Sequence, residues 1–216
     1  MAQWLNTVFA GVDGGIFRAV NFINCEFLNY FCKIFSYIGE KGIPLIVAGL
    51  ILCCFVKTRK IGLGILFSIA VGAIFTNVIL KNVIARPRPY ITSQEFSDYW
   101  LLAGGNLEGE FSFPSGHTTA TTAFAVALFL SCDKKWSWIA LLGAFVMGFC
   151  RIYLVVHYFT DVVAGLVVGT LGAFLGLYLL KLAYAFLEKN KDKKFCDFVL
   201  NWSITSLFAK KKANKK

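Results

Sequence analysis

The chain's only two histidines sit where apolar runs break off: His117 in FPSGHTTATTAF (residues 113–124) and His157 in RIYLVVHYFTD (residues 151–161). Asp161 follows His157 by four residues, which puts both side chains on one face of a helix or helical turn. A carboxylate that accepts the proton of one imidazole nitrogen fixes the tautomer and leaves the other nitrogen free to attack. A second histidine, with different neighbours, can then supply a proton to a leaving oxygen. Lys81, Arg86, Arg88 and Arg151 stand at the ends of apolar runs. A charge at membrane depth costs roughly 2.5–3.5 kcal/mol, so such residues usually mark function. Guanidinium forks match phosphate oxygens and an ammonium adds a point charge. The turn Ser115-Gly116-His117 can offer backbone amides at a helix N-terminus, an anion seat. The chemistry this set suits is phosphoryl transfer. Taken alone, Lys81 or Arg151 reads as a cation snorkelling to the interface. Ser115 is disfavoured as a nucleophile, because no acid–base pair neighbours it and no Gly-x-Ser-x-Gly elbow surrounds it.

Such residues meet only if the elements between them bring them together. The 216 residues are 57% hydrophobic and 16% charged, with a mean hydropathy of +0.66. A soluble domain carries about a quarter charged residues, so the composition is that of a membrane protein. A spanning helix needs roughly 20 mostly apolar residues. Residues 61–80 and 136–156 meet that, and residues 161–188 contain a long apolar run, whereas residues 42–56 and 117–132 are shorter. A further window, residues 16–39, carries Arg18, Asn21, Asn24, Glu26, Asn29 and Lys33 along one side. It reads as a span with its polar side turned into the bundle or as a helix along the interface; the span is favoured, which makes six helices with the N-terminus inside. Small residues recur in these windows, as close helix contacts in lipid require. The N-terminus shows no cleavable signal peptide. If the windows alternate in direction, Lys81, Arg88, Ser115 to His117, Arg151, His157 and Asp161 all reach one outer face. The seven cysteines are scattered and mostly within apolar runs, as packing residues rather than disulfide partners or metal ligands.

The net charge of +10 lies mainly in three groups: Lys57, Arg59 and Lys60; Lys134 and Lys135; and the lysines from Lys189 onward. Alternation places all three on one side, which the positive-inside rule makes cytoplasmic. The basic tail, residues 189–216, forms a second segment after a membrane domain of residues 1–188. Within it, residues 195–209 read either as an interfacial helix on the anionic leaflet or as an unstructured basic tail. A nucleic-acid surface is disfavoured, since the charge has no folded soluble platform.

Three spaced motifs carry a resemblance. Lys81 is followed after six residues by Arg88-Pro89; then comes Pro114-Ser115-Gly116-His117; then Arg151, His157 and Asp161. This set resembles the three-part signature of the type-2 phosphatidic acid phosphatase superfamily, which includes lipid phosphate phosphatases, undecaprenyl-diphosphate phosphatases and vanadium-dependent haloperoxidases. The resemblance implies an all-α bundle of six transmembrane helices and metal-independent hydrolysis through a phosphohistidine, with no cofactor. It makes His157 the nucleophile, Asp161 its orienting partner and His117 the general acid. Lys81, Arg88, Ser115, Gly116 and Arg151 would hold the phosphate. Cys150 stands where the family pattern usually has serine. Arg86 lies outside the strict motif and is open to two readings, a substrate contact or a lipid-headgroup contact. The haloperoxidase branch is disfavoured because those relatives are usually soluble and much longer. Residues 91–113, with Glu95, Asp98, Glu108 and Glu110, form a polar loop that either covers the entry or is simply solvated; its carboxylates lack metal-ligand spacing.

The expected substrate is a lipid phosphate or diphosphate in the bilayer, processed on the outer face. By its short length the chain resembles the members that recycle undecaprenyl diphosphate. Phosphatidylglycerophosphate and phosphatidic acid stay open, as do transfer of the phosphoryl group to an acceptor and the oligomeric state. An anion channel or transporter would show paired inverted repeats with broken helices, and no convincing repeat is present.

Overall fold

The computed structural model describes residues 1–39 and 42–204, which form helices and no strand. Three short helices open the chain: α1 (Ala2–Val8), α2 (Ala10–Phe22) and α3 (Glu26–Ile38). The expected span over residues 16–39 is therefore not one helix. The amides of Ile23 and Asn24 close turns onto the carbonyls of Val20 and Asn21, and α3 restarts at Glu26. Splitting the window lets its polar groups find separate partners. Arg18 pairs with Glu95 at 2.8 Å, while Asn29 donates to the Leu102 carbonyl and accepts from the Tyr153 hydroxyl.

After α4 (Ile43–Cys53), α5 (Val56–Ala73) runs into a π-helical stretch, Ile74–Leu80, and a last turn, α6 (Lys81–Ile84). Ala85 in the left-handed region ends that helix, at φ 49°. Pro87 and Pro89 then bar its continuation, since proline lacks the amide donor and restricts its predecessor. A short helix, α7 (Gln94–Leu102), is capped by the Ser93 side chain accepting from the Phe96 amide. The remaining bundle is α8 (Gly116–Ser131), α9 (Lys134–Tyr153) and α10 (Phe159–Lys189), followed by α11 (Lys194–Asn201).

Three stretches are long and apolar enough to cross a bilayer: Val56–Ile91, Lys134–Tyr153 and Phe159–Lys189. The pair α3 and α4, bent by 45°, makes up to four. The expected count of six is not reached on length. The 16 residues of α8 rise only about 24 Å, short of a hydrocarbon core about 30 Å thick. The outer faces are apolar, with Phe145, Leu171 and Phe174 among the exposed side chains. The protein is an integral membrane protein.

The centre of the bundle is α10 laid against α5 and α8 with almost no side-chain layer between them. A Cβ on Gly169 would lie 2.6 Å from the Thr119 carbonyl oxygen, and one on Gly176 2.5 Å from Ser68 backbone. Only glycine permits that approach. Ile65, Ile69, Ala123, Ala127 and Ala173 fill the core around it. A second core joins Phe17 of α2 to Ile152, Val155, Tyr158 and Val162 at the junction of α9 and α10.

The described part of the tail does not float free. The buried Arg59 guanidinium donates to the carbonyls of Cys53, Val199 and Leu200, and the Ile204 amide donates to the Cys54 carbonyl. These bonds dock α11 on the turn between α4 and α5, with Phe195 and Phe198 exposed. Residues 205–209 of the expected interfacial segment lie outside the described residues.

Candidate active site

A cavity of about 780 Å³ opens at the end of the bundle where α6, α8 and α9 present their functional residues. Lys81, Arg88, Gly116, His117, Arg151 and His157 all line it. Each element places its residue by local means. The π-helical stretch sets the register in which Lys81 leaves α5. Lys81 ends within 3.8 Å of a Cβ built on Gly116. Ser115 caps α8, its hydroxyl oxygen accepting from the Thr118 amide and the Thr118 hydroxyl at 2.9 Å. The Ser115 side chain is fully buried and is not part of the cavity wall. What this motif offers the cavity is the start of the helix, where the amides of Gly116 and His117 have no intrahelical acceptor.

The turn after α9 brings His157 beside Arg151. The amides of Val156 and His157 both reach the Arg151 carbonyl at 3.3 Å, and Val155 takes φ 55°. A β-branched residue in that region stores about 1–3 kcal/mol of strain, which the buried cluster around Phe17 and Tyr158 holds in place. Arg88 donates to the Val156 carbonyl at 2.8 Å, to the Glu110 carbonyl at 2.8 Å and to His157 Nε2 at 3.0 Å. Arginine can only donate, so Nε2 is the accepting nitrogen and the proton of a neutral ring sits on Nδ1. Burial, then Arg88 and Arg151, hold the His157 ring well below its ordinary value of 6.5. The unprotonated nitrogen therefore faces the cations.

The back of that ring is held through an intermediary. His157 Nδ1 lies 3.7 Å from Asp161 Oδ2, and Ser112 Oγ lies between, 3.4 Å from Nδ1 and hydrogen-bonded to Asp161. Asp161 also accepts from the Tyr158 amide at 2.9 Å and from Arg86 at 2.6 Å. Arg86 faces away from the cavity and meets neither substrate space nor headgroup region, so neither sequence reading of it fits. It is fully buried, stacked 3.7 Å over the Tyr158 ring and bonded to Asp13 at 2.8 Å, Asn6 at 2.7 Å and Thr160 at 2.7 Å. Asp13 of α2 in turn accepts from the Thr160 amide at 3.0 Å. Two carboxylates from distant elements thus share one guanidinium behind the histidine.

The loop before α8 closes over the front. Glu108 pairs with Arg151 and approaches Arg88 at 3.7 Å, while Glu110 pairs with Lys81. Burial pushes the Glu108 carboxyl up, but Arg151 and Arg88 outweigh it and hold the group at about 2. Lys81, Arg88 and Arg151 therefore each carry a carboxylate counter-charge. One donor stays unused: Arg151 Nε is buried without a partner among the described residues. Asp13, Ser112, Glu108 and Glu110 are the functional neighbours that motif reading missed as site residues. Among the described residues no cluster of three or more His, Cys, Asp or Glu could hold a metal ion.

The chain carrying these residues has known relatives. The chain is 30% identical over 170 residues to the undecaprenyl-diphosphatase of Sulfolobus acidocaldarius, covering 78% of this chain and 79% of that one. It is 28% identical over 177 residues to the lipid A 4'-phosphatase of Bacteroides thetaiotaomicron, covering 78% and 76%. Its fold matches the crystal structure of a transmembrane phosphatidylglycerolphosphate phosphatase from Bacillus subtilis with a TM-score of 0.64 and 31% identity, over 90% of this chain and 92% of that one. The family model of the PAP2 superfamily matches residues 61–185, the stretch that holds all three motifs. The chain belongs to the PAP2 superfamily and is a membrane lipid phosphatase.

Proposed function

We propose that the protein removes the terminal phosphate of a lipid diphosphate, undecaprenyl diphosphate being the leading candidate, through a phosphohistidine at His157. The observation that carries this is the pair of bonds fixing the ring: Arg88 on Nε2 at 3.0 Å, and Ser112 with Asp161 behind Nδ1. A substrate phosphate entering the cavity displaces Glu108 and Glu110 from Arg88, Arg151 and Lys81, and the first amides of α8 take further oxygens. Burial and then Arg151 hold the His117 ring down, at about 3, and the charge of the incoming phosphate favours its protonation. Nε2 attacks the terminal phosphorus, the bond from that phosphorus to the bridging oxygen breaks, and His117 gives its proton to that oxygen of the departing lipid monophosphate. His117, now neutral, accepts a proton from water, whose oxygen attacks phosphorus and frees Nε2. The cations do the charge stabilisation throughout.

The similarity to an undecaprenyl-diphosphatase supports the diphosphate, while the bilayer-spanning bundle and an apolar cavity wall at Ile46, Ile69 and Ala73 support a lipid substrate in general. The likeness to a phosphatidylglycerolphosphate phosphatase over 90% of the chain favours that lipid as the second reading, with phosphatidic acid and phosphoryl transfer to an acceptor beside it. The basic residues Lys134, Lys135 and Lys189 start α9 or end α10, at the helix ends remote from the cavity. By the positive-inside rule that end and the C-terminus are cytoplasmic and the cavity faces outward. The test is phosphate release by purified protein in detergent, with diphosphate and monophosphate lipids side by side, chelator present and no acceptor added. Release that survives the chelator and is lost in His157→Ala supports the reading. An acid-labile phosphoryl-enzyme should be trapped in the wild type alone. Turnover by His157→Ala at the normal rate, or dependence on an added acceptor, overturns it.

A further inference from the structure

The cavity extends well beyond the three cations. At about 780 Å³ it is in the range that holds a whole ligand headgroup. Its far wall is α3, which contributes Lys33 and Ser36, three residues apart and hence neighbours on one helix face. The Lys33 ammonium is tucked against the loop that carries Glu108. A Cβ on Gly104 would lie only 1.8 Å from Nζ, and Gly104 holds φ 107°, which glycine alone adopts readily. No carboxylate among the described residues pairs with Lys33. Ser36 is 5% exposed, and its hydroxyl has no hydrogen-bond partner among the described residues. Buried hydroxyls are nearly always satisfied, so an orphan on a cavity wall beside an unpaired ammonium marks a place for an anion.

We propose that Lys33 and Ser36 form a second anion subsite, which receives a second phosphate group carried by the same lipid whose terminal phosphate meets His157. The proposal rests on the phosphatase reading above. Two lipid chemistries supply such a group: the proximal phosphate of a lipid diphosphate, and the phosphodiester of a glycerophosphate lipid. A lipid with a single phosphomonoester supplies none. Lys33 and Ser36 thus set preference among headgroups, while Lys81, Arg88 and Arg151 serve every substrate.

The experiment measures kcat/KM for wild type, Lys33→Met, Lys33→Arg and Ser36→Ala on three lipids. These are a polyprenyl diphosphate, phosphatidylglycerophosphate and a polyprenyl monophosphate. The expected result is that Lys33→Met lowers the ratio of two-phosphate to one-phosphate activity roughly 10- to 100-fold, the weight of one hydrogen bond to a charged group, mainly through KM. Lys33→Arg restores the ratio, and Ser36→Ala lowers it by a smaller factor. A fall confined to the diphosphate assigns the subsite to the proximal phosphate, and a fall confined to phosphatidylglycerophosphate assigns it to the diester. Equal losses on all three lipids, or an unchanged ratio in both Lys33→Met and Ser36→Ala, overturn the subsite. If Lys33→Met does not accumulate, Ser36→Ala decides by the same ratio. Wild-type protein that releases phosphate from none of the three overturns the phosphatase reading itself, and the subsite with it.

Discussion

His117 lines the cavity with His157, yet its ring makes no hydrogen bond among the described residues. The proton donation proposed for it should depend on the leaving group. A departing phosphate is already stabilised, whereas a lipid alkoxide is not. We expect His117→Ala to lower monophosphate turnover roughly 100-fold or more, the usual weight of a general acid, and diphosphate turnover by clearly less. Rates on matched lipids decide this, and equal losses contradict it. In the proposed reaction Glu108 gives way to substrate at Arg151 and Arg88, so Glu108→Gln should lower KM about two- to fivefold, the effect of about 0.5–1 kcal/mol, with kcat little changed. A rise in KM would show instead that Glu108 helps to bind the lipid. The residues of both predictions differ in how far sequence reveals them. His117 stands in a motif whose spacing is fixed by a helix start. Glu108 is one of four carboxylates in residues 91–113, and it falls after α7 in a loop whose path no periodicity specifies. Arg86 and Arg88 show the same limit. In extended chain, residues two apart share a side, but the left-handed Ala85 and the prolines break that rule; the motif singled out Arg88, whereas the place of Arg86 on Asp161 shows only in the fold.

Among the elements, the π-helical stretch Ile74–Leu80 has the sharpest functional role. Each extra residue in a turn rotates the later side chains around the axis, and such stretches gather at functional sites. Inserting one residue within 74–80 would swing Lys81 by about 100° from the cavity. The insertion variant should therefore retain its fold in detergent and lose activity to the same degree as Lys81→Ala. Activity near wild type would show that Lys81 does not depend on this register. Hydropathy located the long apolar stretch that holds α5, and nothing in IFTNVIL distinguishes π from α. The first window failed for a different reason. Polar residues two to four apart fit the side of one helix as well as two helices meeting at a turn. Arg18 with Glu95, and Asn29 with Tyr153, settle the choice through partners 77 and 124 residues away.

At the scale of the molecule, the site is held by contact between backbones. α10 carries Asp161 at its start and presses Gly169 on α8 and Gly176 on α5. Gly169→Val should overpack that contact by about 1–3 kcal/mol and lower the unfolding midpoint in detergent, or prevent accumulation. Gly143→Ala, where an added Cβ meets nothing within 4 Å, should be neutral or slightly stabilising. Equal stability of the two variants would contradict this packing. The convergence of the motifs at one end of the bundle was legible, because alternating helices return to the same side. What was not legible is that the family-matched stretch, residues 61–185, does not close its own site. Asp13 lies outside it, on α2, and supplies the second carboxylate on Arg86 and the acceptor for the Thr160 amide. A chain pared down to the matched region would keep every signature residue and still lose the Asp13 anchor on Arg86, behind His157 and Asp161. The opening helices are thus a piece of catalytic equipment, and swapping them between relatives should transplant, or spoil, turnover without altering a single motif.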